Sequence, residues 1–164
     1  MNATTKTGSC LCSAVEFEFQ IPILFATHCH CSMCQRGNGA GFVTWIGVRE
    51  DGFRITAGAN DLTTYRSSNR GTRSFCGRCG SSMLCQNDDH DNVIDITLAN
   101  VHGEIDRVPS SHVYFDCRAP WIEVTDDLRK RGGDTGGGNC SSILTLAAAG
   151  LRALAERCAC CARA

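Results

Sequence analysis

The chain has 164 residues, 43% hydrophobic and 20% charged, with 16 Lys and Arg against 17 Asp and Glu and a formal net charge of −1. That is one domain of ordinary size with apolar material enough for a core, which excludes a mostly disordered chain. The near-neutral balance and the 7% aromatic content exclude a strong general pull toward nucleic acid or anionic lipid and give no stacking platform for single strands.

Residues 1–7 read as a polar, loose start. Val15, Phe17 and Phe19 alternate with Glu16 and Glu18, the pattern of a half-buried strand. Residues 42–46 are a second apolar, β-branched run. Residues 53–56 follow, bracketed by the turn signals Asp51-Gly52 and Ala57-Gly58. Residues 63–66 and 73–75 are weaker strand candidates. Residues 82–85 and 93–98 read as strands joined by the polar stretch 86–91, and 112–115 is another. None of this region carries a long 3.6-residue apolar period, so it is expected to be a mainly antiparallel β domain. Composition changes near Arg131. Residues 132–138 are Gly-rich, a flexible linker. Beyond them, Leu144, Ala148, Leu151, Ala155 and Cys158 recur at helical steps in an Ala- and Cys-rich tail, expected to be a short helix or disordered. The apolar run 143–151 is too short to span a membrane.

Cysteine is the outlier, at 13 residues. An odd count, the lack of a basic-then-apolar leader in residues 1–20, and tight C-x-C and C-x-x-C clustering argue for thiolate–metal sites in a reducing cytoplasm rather than for a disulfide framework. Three clusters matter: Cys10-Leu11-Cys12, then Cys29-His30-Cys31-Ser32-Met33-Cys34, then Cys76-Gly77-Arg78-Cys79. Side chains on extended backbone repeat every two residues, so a C-x-C pair puts both sulfurs on one face. A C-x-x-C turn gathers its sulfurs at one point, and Gly77 and Gly80 allow the bend. Two such pairs make a closed four-thiolate site for zinc, with an iron–sulfur cluster as the lesser alternative. Spacing alone does not say which pairs share an ion. If the clusters stay whole, seven cysteines divide into four and three, with Cys29, Cys31 and Cys34 as the three. A site with three protein ligands keeps a free position, which points to a reactive centre. The competing reading fills that position with His28, His30 or a distant cysteine. The strand alternation that turns both histidines away from Cys29 and Cys31 disfavours the histidine version.

Taken with Gly8-Ser9 before the first cluster, Gln35-Arg36 after the second, Thr64-Tyr65-Arg66-Ser67-Ser68, Gly80-Ser81 after the third, and Ala119-Pro120-Trp121, the chain resembles the glutathione-dependent formaldehyde-activating enzyme family, also known as centromere protein V-like. The likeness covers about residues 7–136, leaving 137–164 as linker and tail. It implies an Mss4-like fold of mainly antiparallel sheets, with a structural zinc on Cys10, Cys12, Cys76 and Cys79. It implies a second, functional zinc on Cys29, Cys31 and Cys34. It also implies a carbon–sulfur lyase that joins a thiol such as glutathione to a small aldehyde such as formaldehyde. The expected cofactors are therefore two Zn²⁺ per chain, the second in a site able to release its ion, with glutathione as co-substrate and no nucleic-acid or membrane partner. The runner-up is a non-enzymatic zinc-stabilised binding module, or a glutathione or zinc carrier. Cys85 and the tail depart from the family pattern.

Several residues carry milder expectations. Arg36 and Arg66 are candidates to clamp the carboxylates of glutathione, with Arg70, Arg73 and Arg78 as further nearby cations. Cys85 and Cys117 read as small buried apolar residues in strands. Asp88, Asp89, His90 and Asp91 read as a solvated turn rather than a hard-metal cluster. Trp45, Tyr65 and Trp121 fit either a pocket or the core, and His102 and His112 receive no role.

Overall fold

The computed structural model describes residues 4–133, and the Ala- and Cys-rich tail expected to be helical or disordered lies outside them. In chain order come β1 (Thr5–Ser9), β2 (Glu16–Gln20), β3 (Phe25–Cys29), the helix α1 (Ser32–Asn38), β4 (Val43–Arg49), β5 (Phe53–Ala57), β6 (Leu62–Arg66), β7 (Gly71–Cys76), β8 (Ser82–Asn87), β9 (Val93–Thr97), β10 (Ser111–Val113) and β11 (Arg129–Lys130). The described residues are thus mainly β with one short α-helix. The described residues divide into two compact units, 4–27 with 44–109 and 28–43 with 110–133.

The first unit holds two antiparallel arrays. One has the order β1-β2-β5, and in the other β4, β9, β8, β7 and β6 lie side by side. The alternation read at residues 15–19 is what faces inward. Val15, Phe17 and Phe19 are buried while Glu16 and Gln20 are exposed. Phe17 pairs with Ile55 across β2 and β5, and its ring packs 5.8 Å from that of Phe53. Ile46 and Val48 from β4, Met83 and Leu84 from β8, and Ile94 and Ile96 from β9 complete this apolar core. Residues 5–7, part of the start expected to be loose, belong to β1 instead. Its backbone pairs with β2 in full register, and a polar sequence can hold an edge strand when the ladder supplies the bonds.

The second unit departs from the expected antiparallel pattern. β10 pairs in parallel both with the end of β3, His112 opposite His28, and with β11. Parallel neighbours need long crossovers, and these strands are separated by many residues in the chain. The unexpected helix α1 is seven residues long, too short to show an apolar period. Its caps are legible: Cys31 closes the N-terminus and Gly39, at φ +60°, the C-terminus.

One glycine fixes the loop that carries the first cluster. Gly58 has φ +69°, and a Cβ there would lie 1.8 Å from the Ala14 carbonyl oxygen. Gly58→Ala is expected to lower stability by about 1–3 kcal/mol, from left-handed strain plus the clash, as read by denaturant unfolding at fixed metal concentration.

Candidate metal centre

Two turns build the first sulfur group, both in the first unit. After β1 the chain reverses through the 10–15 loop: the Cys10 amide donates to the Val15 carbonyl at 3.0 Å, and the Val15 amide donates to Cys10 Sγ at 3.3 Å. After β7 the 76–80 turn closes when the Gly80 amide donates to the Cys76 carbonyl at 2.8 Å, with Gly80 at φ +76°. The Leu11 amide donates to Ser81 Oγ at 2.9 Å and ties the two turns together. Cys10, Cys12, Cys76 and Cys79 thereby place four sulfurs within 4.8 Å of one another. Cys10 and Cys12 are 3.6 Å apart at sulfur, and Cys12 and Cys76 are 3.9 Å apart. A tetrahedron with Zn–S bonds near 2.3 Å has edges of about 3.8 Å, so this sulfur geometry fits zinc.

The second group, Cys29, Cys31 and Cys34, lies in the second unit, with all three buried and their sulfurs within 4.8 Å of one another. β3 delivers Cys29. Cys31 caps α1, its sulfur accepting from the Cys34 amide at 3.3 Å, and the first turn of α1 brings Cys34 round to meet it. Gln35 Nε2 donates to the carbonyls of His30 and Cys117, fastening α1 to the 115–117 turn. Among the described residues no fourth His, Cys, Asp or Glu joins this set. His28 and His30 stay out of it, as the strand alternation predicts.

The electrostatics explain why a cation suits both groups. Hydrogen bonding with Cys31 and Cys34, then burial, push the Cys29 thiol well above its ordinary range. Against a lowering by the Ala14 backbone, desolvation and the neighbouring thiols take Cys12 up to about 11. The Ser81 hydroxyl, 3.3 Å away, leads the contacts that bring Cys79 down to about 5. Crowded sulfurs cannot all ionise by themselves, and a divalent ion removes the repulsion that holds the protons on.

Beside the second group lies a feature the sequence gave no reason to expect. His30 Nε2 and His112 Nδ1 are 2.8 Å apart, and His112 Nε2 is 3.1 Å from both carboxylate oxygens of Asp126. Both rings are buried, and burial takes His30 down to about 4. An anionic Asp126 accepts from His112 Nε2–H, so His112 Nδ1 accepts from His30 Nε2–H. His30 Nδ1 then carries a lone pair, buried without a partner. That assignment leaves an unmet acceptor rather than an unmet donor, the cheaper of the two. Phe42 and Phe115 close around the pair, with ring centres 5.1 and 5.3 Å from that of His30.

The other expected residues are scattered. Arg36 sits on α1 with Nε donating to the Ser32 carbonyl at 3.3 Å. Arg66, in the first unit, has its guanidinium on Asp88 and the Asn69 carbonyl. Arg70 pairs with Asp89 at 2.6 Å, so these two aspartates neutralise arginines in a turn. Arg78 stands 3.8 Å from Asp61, and Arg73 lies over the Trp45 ring. Trp45 belongs to the buried set, while Tyr65 and Trp121 are exposed. Cys85 is half-buried on β8. Cys117 is not a small apolar strand residue: it lies half-buried in the 3₁₀ turn Phe115–Cys117 and is disulfide-bonded. The expectation of no disulfide is corrected at that position.

A β domain with two compact sulfur groups is a cysteine-rich domain whose clusters could hold metal ions. Residues 5–117 match the family model described as glutathione-dependent formaldehyde-activating enzyme, and the chain belongs to that family. All seven clustered cysteines fall inside the matched span. A Rhodobacter sphaeroides protein of known crystal structure is 26% identical, with a TM-score of 0.49 over 62% of this chain and 98% of that one. No curated protein matches the chain. Among the described residues no helix is long and apolar enough to cross a membrane.

Two measurements check this geometry. Cys76→Ser is expected to cost the first unit its ion and its cooperative unfolding transition, read by metal analysis and thermal melting, because its three partner sulfurs lose a shared ligand set. Long-range ¹⁵N–¹H NMR at neutral pH is expected to find His30 as the Nε2–H tautomer. An Nδ1–H signal would break the assigned hydrogen-bond order.

Proposed function

We propose that the protein is a zinc-dependent carbon–sulfur lyase of the S-(hydroxymethyl)glutathione synthase type, acting on a thiol such as glutathione and a small aldehyde such as formaldehyde. The observation that carries the reading is the difference between the two sulfur groups: four sulfurs within 4.8 Å of one another in one, three buried sulfurs in the other. In this reading Cys10, Cys12, Cys76 and Cys79 hold a structural zinc. Cys29, Cys31 and Cys34 hold the functional one and leave a position for an incoming sulfur. When bound there, zinc supplies the positive charge that keeps an added thiol ionised near neutral pH.

The chain's own residues do the rest. Cys29, Cys31 and Cys34 are fixed by β3 and by the first turn of α1, so the site needs little rearrangement on binding. Their burial, with Phe42 and Phe115 packed around the neighbouring His30, keeps bulk water from the sulfurs. In the overall reaction a new carbon–sulfur bond replaces the carbonyl π bond. The thiol proton ends on the former carbonyl oxygen, giving the S-hydroxymethyl adduct. The reverse direction breaks the same carbon–sulfur bond. Arg36, in the same unit as the three cysteines, is proposed as a contact for a thiol carboxylate, whereas Arg66 is committed to Asp88. The setting proposed is the cytoplasm, where thiols and glutathione stay reduced.

The decisive variant is Cys31→Ser. Serine is a good helix N-cap, so α1 keeps its start while the second group loses a ligand. Thiol-dependent formaldehyde consumption is expected to fall at least about a hundredfold, the scale of losing an essential catalytic group, with the melting transition and the first ion retained. If the binding-module reading is right, wild type and Cys31→Ser consume formaldehyde equally, at the rate of thiol alone.

A further inference from the structure

His30 is held from three directions. Its amide donates to the Val113 carbonyl at 3.0 Å, its carbonyl accepts from Gln35 Nε2, and its ring Nε2–H donates to His112 Nδ1 at 2.8 Å. The two backbone bonds follow from the pairing of β3 with β10 and from the start of α1. The ring bond does not. It continues through the buried His112 to Asp126, whose carboxylate also accepts from the Leu128 amide at 3.0 Å. The Asp126 carbonyl in turn accepts from Lys130 Nζ at 2.7 Å. The chain of bonds thus starts on a turn that is itself fastened and ends on the residue between Cys29 and Cys31.

Packing alone does not call for this arrangement. Phe42 and Phe115 already lie against both imidazoles, with ring centres 5.1 to 6.3 Å apart, so aromatic residues suit the space. Imidazoles there take ring nitrogens out of water, and His30 Nδ1 is left buried with no hydrogen bond. What the nitrogens supply, and a phenyl ring does not, is direction: one ring angle for His30, set by the line from Asp126 through His112. That angle matters because neighbouring extended residues project to opposite sides of the backbone. Cys29 ends β3 and Cys31 is extended, at φ −63° and ψ 149°. A turn of the backbone at His30 therefore swings both sulfurs together, and fixing the ring fixes that lever.

We infer that Asp126 and His112 are positioning residues for the three-cysteine group, holding the His30 ring and through it the backbone that aims the Cys29 and Cys31 sulfurs at a common point. The inference rests on the reading of that group as an ion site and adds what keeps it formed. Both residues act through His30. Loss of a hydrogen-bond partner behind a metal ligand weakens metal binding by about ten- to a hundredfold, and one remove further the lower end applies.

The test sets hydrogen bonding against bulk in the full chain. His112→Asn carries its side-chain oxygen near the place of His112 Nδ1 and accepts from His30, whereas His112→Phe fills the space and accepts nothing. Affinity for the second zinc ion is read by competition with a chromophoric chelator. Coordination is read by the charge-transfer bands of the cobalt(II)-substituted protein, and the order of residues 29–34 by amide hydrogen exchange. His112→Phe and Asp126→Leu are expected to weaken the second ion about tenfold, shift the cobalt bands and speed exchange over 29–34. His112→Asn and Asp126→Asn are expected to stay close to wild type, with the first ion unaffected throughout. Asp126 is 45% exposed, so the leucine and asparagine pair there carries the comparison if His112→Phe does not fold. The inference is overturned if the phenylalanine and leucine variants hold the second ion as wild type does. It is equally overturned if the asparagine variants weaken the ion as much as they do, the mark of a packing role. If wild type takes up one ion only, yet exchange over 29–34 still separates the variants in this order, the brace stands and the ion-site reading falls. If two ions bind and nothing separates the variants, the reading stands and the brace falls; one ion and uniform exchange sink both.

Discussion

Sulfur crowding governs this protein. Seven thiols are folded into two groups whose sulfurs lie within 4.8 Å of their group mates, and such sets cannot all become anions without a cation among them. The chain therefore spends its turns, its one described helix and the end of β3 on holding groups that repel once ionised. A fold that stores this conflict suits a thiophilic divalent ion, because binding one would both form bonds and relieve the repulsion.

The two units meet that demand with different interiors. The first has an ordinary apolar core, where Phe17, Phe19, Ile46, Met83 and Ile96 are buried essentially completely. In the second, the described buried residues include Cys29, His30, Cys31, Cys34, Ser111 and His112, most of them polar or ligating. Such an interior contributes little by transfer from water, so its integrity depends on specific bonds: the chain from Asp126 through His112 to His30, and the sulfur set itself. A unit built this way is poised for chemistry, since its buried groups are those that bind ions and carry protons.

How much of this could be read from the chain depends on the length of the pattern. The alternation at residues 15–19 and the β-branched runs of β4 and β9 announced themselves, because period two needs only four or five residues. The cysteine spacing marked three tight sulfur clusters, since C-x-C and C-x-x-C confine sulfurs whatever surrounds them, but the joining of Cys10 and Cys12 with Cys76 and Cys79 is long-range and came only with the family resemblance. The short elements stayed hidden. β1 is polar and owes its strand to β2, and α1 is shorter than two clear apolar periods, although Gly39 marks its end. The pairing of His30 with His112 and Asp126 was out of reach, because it is set by the parallel register of β3 with β10.

The order of the clusters along the chain has a mechanical result. The first group joins Cys10 and Cys12 to Cys76 and Cys79, with Cys12 and Cys76 separated by 64 positions, and Cys29, Cys31 and Cys34 fall inside that span. An ion clasped by the outer cysteines turns the intervening polypeptide into a ring, trimming the freedom of the unfolded chain by an amount on the order of 4 kcal/mol if it acts as an ordinary cross-link. The inner three are thus passengers on a loop whose buckle lies elsewhere. An ion at the outer group would therefore carry the unfolded chain's lost freedom, while one at the inner group would not, so losing the first would let the whole girdle slip.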